Sequence, residues 1–233
     1  MPLDSFKKEV GRKIIHLFAL AYLALYLFFA IFFSHRAGLF VLVALLVIQI
    51  FLEYIRLEKK KRLPLLGFLY DKFRREEELD KIGAEVYFIL GFIVSLAVFD
   101  LQIATAAIFM SVFGDMTAAL VGRPYGRIRP AVFSGKSLEG SLAGLLVNLA
   151  MGFVFLRSAP EGSEWWLNIF AHPEAADFCA GFGDPLWSVI AVMAVAASLT
   201  ELVISKIDDN LTVPVISGFA GQITLFITES LQT

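Results

Sequence analysis

The sequence is short of charge and short of cysteine. Asp, Glu, Lys and Arg together make up 18% of its 233 residues, against about a quarter in ordinary soluble domains. The one cysteine, Cys179, excludes an intrachain disulfide. Net charge is −2, so there is no domain-wide basic surplus of the kind a nucleic-acid partner requires. No internal repeat and no low-complexity segment interrupts the chain, and a single domain spanning 1–233 suffices.

What fills the space is apolar. Hydrophobic residues account for 58% of the chain and phenylalanine alone for 23 positions. That excess over the usual 45–50% or so marks a membrane protein. With roughly 17–25 apolar residues needed per span, seven segments qualify: Ile14–Phe33, Ala37–Ile55, Ala84–Phe99, Leu101–Val121, Leu138–Leu156, Leu186–Ile204 and Val213–Leu231. Only Asp100 and Gln102 separate the third from the fourth. The first run is long enough to span and has no small-residue cleavage site after it, so it is expected to be retained as a span. The predicted fold is therefore all-α, a polytopic integral membrane protein.

Basic residues fix the expected orientation. Counting loops, 18 of the 20 Lys and Arg fall on one side; Arg36 and Arg157 fall on the other. By the positive-inside rule the N-terminus is cytoplasmic and the C-terminus outside. Within the inner loop, Leu65, Leu66, Phe68, Leu69 and Phe73 followed by dense charge suggest an interfacial helix. The run Lys59–Arg62 suits anionic membrane lipids. Trp165 and Trp166 are expected at the outer interface.

Polar residues of unusual placement gather on the inner side. Asp115 stands about six residues from the end of the fourth predicted span, roughly 9 Å deep, and Glu201 lies near the inner end of the sixth. An acid within a span is a functional residue by default. Between spans four and five runs GRPYGRIRPAVFSGKSLEGSLAG, and between six and seven SKIDDNLTVP. Mg²⁺ takes one or two carboxylates together with phosphate oxygens, and Asp115, Glu201, Asp208 and Asp209 are candidates to supply them. Arg123, Arg127, Arg129 and Lys136 are of the type that holds phosphates. Gly122, Gly126, Gly135 and Gly140 allow close backbone approach. A helix starting near Lys136-Ser137 would add N–H donors.

Plainer readings stand beside these. Ser137 is also a candidate helix cap with Glu139 in the first turn, Thr212 a candidate cap for the last span, and Arg127 and Arg129 candidate membrane anchors. Ser134–Ser137 resembles the tail of a P-loop, but that motif needs a glycine where Pro130 stands. On the first helix, at and before the start of its span, Glu9, Arg12, Lys13 and His16 share a face, at three- and four-residue spacings.

Taken in order, these blocks resemble the membrane family of CTP-dependent lipid kinases, which includes dolichol kinase, phytol kinase and CTP-dependent diacylglycerol kinase. The residues that carry the likeness are Glu9, Arg12, Lys13 and His16; Gly114, Asp115, Ala118, Gly122, Arg123 and Gly126; Gly135–Ser137 with Glu139–Ser141; and Glu201 with Asp208–Asn210 and Pro214. The central block is shared with phosphatidate cytidylyltransferase. The C-terminal block is not: that enzyme carries a Lys-Asp pair and a His-Gly-Gly stretch that this chain lacks.

The resemblance implies CTP as phosphate donor, a lipid alcohol as acceptor and Mg²⁺ as cofactor, at a site in the cytoplasmic leaflet. It implies Asp115, Lys136 and Asp209 as catalytic residues. Arg123, Gly135, Lys136, Ser137, Glu139, Gly140, Ser141 and Asn210 would bind nucleotide, and Arg12, Lys13 and His16 substrate. Asp115, Glu201, Asp208 and Asp209 would bind the metal. The membrane would be the cell membrane in a prokaryote, and the endoplasmic reticulum or plastid in a eukaryote. Two other readings are cytidylyl transfer to a lipid phosphate and ion-coupled transport. The second is disfavoured because the polar motifs sit at one face, not at the midplane.

Overall fold

In a computed structural model, the residues described are Gly11, 17–59, 81–130, 135–156, 186–204 and 207–231. Arg12, Lys13, His16, residues 63–80 and the Trp165–Trp166 segment lie outside them. Every regular element among the described residues is helical. In chain order these are α1 (Leu20–Phe32), α2 (His35–Lys59), α3 (Ala84–Val98), α4 (Leu101–Phe109), a π-helical turn (Met110–Gly114), α5 (Asp115–Tyr125), α6 (Leu138–Phe155), α7 (Trp187–Val203) and α8 (Asp209–Ser230). Four helices are long and apolar enough to cross a membrane: His35–Glu58, Leu101–Tyr125, Leu138–Phe155 and Asp209–Ser230. Leu20–Phe32, Ala84–Val98 and Trp187–Val203 are apolar but shorter.

Two of the boundaries that differ from the sequence expectation do so for a local reason. The fourth predicted segment does not stop at Val121. It runs as one rod, Leu101–Tyr125, with Pro124 inside its last turn and the π-turn in its middle. Asp115 is therefore ten residues from the end, roughly 15 Å along the axis and deeper than expected. The last helix starts at Asp209 and not Val213, because Asp208 caps it: its carboxylate accepts from the Asn210 backbone N–H. Thr212 is thus inside the helix, its hydroxyl donating back to the Asp208 carbonyl at 3.3 Å.

Rod α4–π–α5 is the hub, packed against α3, α6, α7 and α8, while α1 and α2 pair with each other and reach the bundle through α3. Lipid tails are as apolar as leucine, so helices in a membrane gain little by hiding apolar surface from one another. Close packing of small residues takes over. Here Gly114, Ala118 and Gly122, four apart on the hub, meet Gly140 and Gly144, four apart on α6. A methyl group on Gly140 would lie 2.5 Å from the Ala118 carbonyl oxygen and 2.8 Å from Gly122 Cα, so the two backbones pass nearly in contact. Further contacts of this type place Phe99 over Gly218, and Met193 over Gly221.

The two ends of the bundle are tied differently. At one end Gln222 of α8 brackets the α3–α4 turn. It accepts from Asp100 N–H at 3.0 Å and donates to Asp100 Oδ2 at 2.8 Å. At the same end as the α5 C-terminus, Glu53 of α2 pairs with Arg56 at 2.6 Å and accepts from the Gly83 N–H at 3.1 Å. Glu53 is only 6% exposed. It was not singled out from sequence, although an acid within an apolar run and three residues before an Arg was a visible signal.

Candidate functional site

The α5–α6 connection folds onto itself through two side chains. Arg129 donates to the carbonyls of Gly122 at 2.8 Å and Gly135 at 3.1 Å, with longer bonds to Arg123 and Gly126 at 3.4 Å each. The last carbonyls of any helix lack intrahelical partners, and a guanidinium suits both their geometry and the negative end of the helix dipole. From the other side Glu139 accepts from the backbone N–H groups of Arg127 at 2.9 Å and Ile128 at 3.0 Å. Arg129 and Glu139 thus both secure the loop backbone, and the former is more than a membrane anchor.

Ser137 is the N-cap of α6. Its hydroxyl oxygen accepts from Gly140 N–H at 3.1 Å and donates to the Gly122 carbonyl at 3.3 Å. Ser141 donates to the Ser137 carbonyl at 3.1 Å. Gly122 and Gly140 take part in the helix contact described above, so that their missing side chains make room for each other's backbone. Gly126 sits against Ser137. Gly135 is different. Its φ is +81° and nothing lies within 4 Å of where a Cβ would stand, an open left-handed backbone position that favours glycine.

Next to it, Lys136 crosses to the other half of the bundle. Its ammonium donates to the Glu201 backbone carbonyl at 2.6 Å and to Asp209 Oδ2 at 3.2 Å. One cation thereby meets a carbonyl in the last turn of α7 and a carboxylate in the first turn of α8, both favourable dipole positions. Lys136 and Asp209 side chains are 32% and 30% exposed, so solvent and solutes reach them. Glu201 itself is 8% exposed.

Asp208 completes the α8 start. Its Oδ1 accepts from the Asn210 N–H at 3.0 Å and from the Asn210 side-chain amide at 2.7 Å. Burial pushes its carboxyl up to about 6, with the neighbouring Asp209 charge adding to the rise, the Asn210 bonds opposing it and Asp115 adding further. That Asp115 acts on Asp208 brings the hub acid and the α8 acids into one electrostatic neighbourhood. Arg123 stands in the last turn of α5. Among the described residues, no three His, Cys, Asp or Glu side chains are gathered tightly enough to hold a metal ion by themselves.

Asp115 of α5, Lys136 of the α5–α6 connection, Glu201 of α7 and Asp208 and Asp209 at the start of α8 thus lie in the same half of the bundle. Two structural details were not foreseen. One is the π-turn directly before Asp115. The other is Pro214 in α8, which cannot donate to the Asn210 carbonyl; Gly91 of α3 packs against that oxygen, where a Cβ would lie 2.7 Å away.

Comparison with known proteins gives consistent relatives. A CTP-dependent diacylglycerol kinase of Saccharomyces cerevisiae is 27% identical over 225 residues, covering 91% of this chain and 72% of that protein. The enzyme of the same name from Schizosaccharomyces pombe is 24% identical over 159 residues, 66% of this chain and 68% of its own length. A probable chloroplastic phytol kinase of Glycine max is 28% identical over 151 residues, 64% of this chain and 46% of that protein. No protein-family model matches the chain, and no solved structure matches it.

Proposed function

We infer that this chain belongs with the CTP-dependent lipid kinases and transfers the γ-phosphate of CTP to the hydroxyl of a membrane lipid alcohol. The acceptor is an isoprenoid alcohol or diacylglycerol, the two classes named among its relatives. The observation that carries the reading to specific residues is the Lys136 bridge to Asp209 and to the Glu201 backbone carbonyl, beside the capping acid Asp208. Each relative reported above is a kinase, which favours phosphoryl transfer over cytidylyl transfer and over transport.

The seven apolar helices are proposed to span the membrane with the N-terminus cytoplasmic, supported by the distribution of Lys and Arg. The α5–α6 loop and the α7–α8 junction then face the cytoplasm, where CTP is available. Asp115 lies roughly 15 Å along the rod from that end, where a lipid hydroxyl would meet it from the membrane side. CTP and lipid would thus approach one site from two phases.

Phosphoryl transfer asks a protein mainly for positioning and charge neutralisation. Lys136 and Arg123 hold triphosphate oxygens, and the open backbone at Gly135 admits a phosphate beside them. Asn210 orients Asp208, while Ser137, Glu139, Gly140 and Ser141 keep the nucleotide loop in shape. Arg12, Lys13 and His16 serve the acceptor side. Asp115 orients the acceptor hydroxyl. The lipid oxygen bonds to the γ-phosphorus as the β–γ bridging bond breaks, CDP leaves, and the hydroxyl proton passes to a carboxylate.

The acids fit a divalent cation by their chemistry. Asp208 is destabilised in its charged form by burial and by two neighbouring carboxylates, a condition that a cation relieves. One or two of Asp115, Asp208, Asp209 and Glu201 would hold Mg²⁺, with phosphate oxygens supplying the rest, since no three of these side chains gather tightly enough to do so alone. When bound, it supplies neutralisation of triphosphate charge.

The test uses purified protein in detergent with CTP labelled at either the α or the γ phosphorus, and diacylglycerol, phytol, geranylgeraniol or dolichol as acceptor. Label from the γ position in the lipid product, with CDP released, is the expected result. Label from the α position in the lipid, with pyrophosphate released, would establish cytidylyl transfer instead.

A further inference from the structure

Among the buried polar residues that the reaction described above leaves unused is Asn148, near the middle of α6. It occupies the register of the small-residue stripe, four residues after Gly144 and four before Gly152. Glycine or alanine would satisfy that packing, yet the chain places an amide there, 1% exposed. Its nitrogen donates to Ser198 Oγ of α7 at 3.0 Å. Its oxygen is buried and has no hydrogen-bond partner among the described residues. That oxygen is aimed at Gly114: a methyl group added to Gly114 would run into Asn148 Oδ1.

An unmet buried acceptor is unfavourable, and an apolar side chain of the same shape would avoid it. Two neighbours make the location informative. Gly114 closes the π-turn and adjoins Asp115. Ser198 lies three residues before Glu201, on the same face of α7. A π-turn is an adjustable element of a helix and commonly lies at functional sites; here Asn148 meets it at its final residue.

We propose that Asn148 is a positioning residue that sets the placement of Asp115 relative to Glu201, bracing the π-turn at Gly114 on one side and tying α7 through Ser198 on the other. The proposal rests on the assignment of Asp115 and Glu201 to the phosphate-transfer site. Asn148 touches neither substrate, and its effect is transmitted through backbone placement.

The experiment replaces Asn148 by the similarly shaped Leu and, separately, Ser198 by Ala, and measures kcat, KM for CTP and thermal unfolding in detergent without nucleotide or cation. For Asn148→Leu, kcat should fall roughly 10- to 100-fold, the effect expected of a small misplacement of a catalytic group. KM for CTP should stay within about threefold, since binding contacts are retained, and the unfolding midpoint should not fall, since an unmet polar atom has been removed. Wild-type kcat, or a loss matched by the unfolded fraction, would overturn the proposal. Should Asn148→Leu fail to accumulate, Ser198→Ala decides: a kcat loss of about threefold or more at unchanged KM supports the positioning role, and unchanged kcat overturns it. Asp115→Asn is run alongside. If it is active, the underlying site assignment has failed; if it is dead while Asn148→Leu turns over normally, only the positioning role has.

Discussion

Asp208→Asn is nearly isosteric and keeps the oxygen that caps α8, because asparagine caps helix N-termini about as well as aspartate does. Only the charge is lost. Asp208, at the cap just before the apolar span, has its carboxyl raised from 3.8 to about 6, first by burial and then by the charge of Asp209. A group whose folded value lies above its unfolded value binds its proton more tightly when folded. Its stabilising contribution is complete below about pH 4 and is lost as pH climbs to about 6. A rise of about two pKa units corresponds to at most roughly 3 kcal/mol, and the partial access of solvent to this junction brings the expectation to about 1–3 kcal/mol.

Reversible unfolding in mixed micelles, followed from pH 4 to 8 with chelator present and CTP absent, reads this directly. Wild type should lose stability across the pH 4–6 window and then level off. The Asn variant should lack that slope and be the more stable protein at pH 7.5. The same variant should lose about 100-fold or more in turnover, because a neutral amide is a poor substitute for a carboxylate facing a hard cation. Parallel pH slopes for the two proteins, or a less stable Asn variant at pH 7.5, would refute the electrostatic account of the α8 start.

Other perturbations separate the remaining roles. Asp115→Asn should reduce turnover by about 100-fold or more while leaving the unfolding midpoint within a few degrees of wild type, checked by lipid-phosphate formation from labelled CTP. Lys136→Met removes both the link to Asp209 and the proposed phosphate contact; kcat/KM for CTP should fall by at least about 100-fold, and Lys136→Arg should recover only part of it, because a planar fork does not reproduce a point charge. Gly140→Leu should lower stability by about 1–3 kcal/mol, since the side chain meets the Ala118 and Gly122 backbone; denaturant titration measures this. Chelation should stop turnover and added Mg²⁺ restore it, followed by the same lipid-phosphate assay.

The helices were legible because apolar runs of span length are a strong signal, and each of the seven predicted segments overlaps an apolar helix, four of these being long enough to cross a membrane. What sequence could not show was where a run bends or widens. The π-turn is written in ordinary membrane-helix residues, Met110, Ser111, Val112 and Phe113, whose intrahelical bonding no pattern of hydrophobicity records. The α8 start was misplaced because Asp208 and Asp209 read equally as loop residues, and only the bond to Asn210 distinguishes a cap from a coil. At the candidate site the acidic and basic residues were visible as outliers in an apolar background. The division of labour among the glycines was not: Gly122 and Gly140 meet across helices, whereas Gly135 bends a loop, a difference that belongs to packing and not to spacing.

The widened turn at Met110–Gly114 has a consequence for how the sequence tolerates gaps. Such a turn accommodates one residue more than the regular spiral around it. Deleting a single codon there, for example that of Val112, would let the rod close into an uninterrupted α-helix and remain long enough to cross a bilayer. Residues on both sides, Asp115 included, would keep nearly the same facing, because the residue lost is the one the wide turn absorbs, whereas a deletion in the regular helix on either side would swing everything beyond it by about 100°. Deletion scanning through this stretch should therefore find loss of one amino acid better tolerated inside the wide turn than in the regular helix beside it.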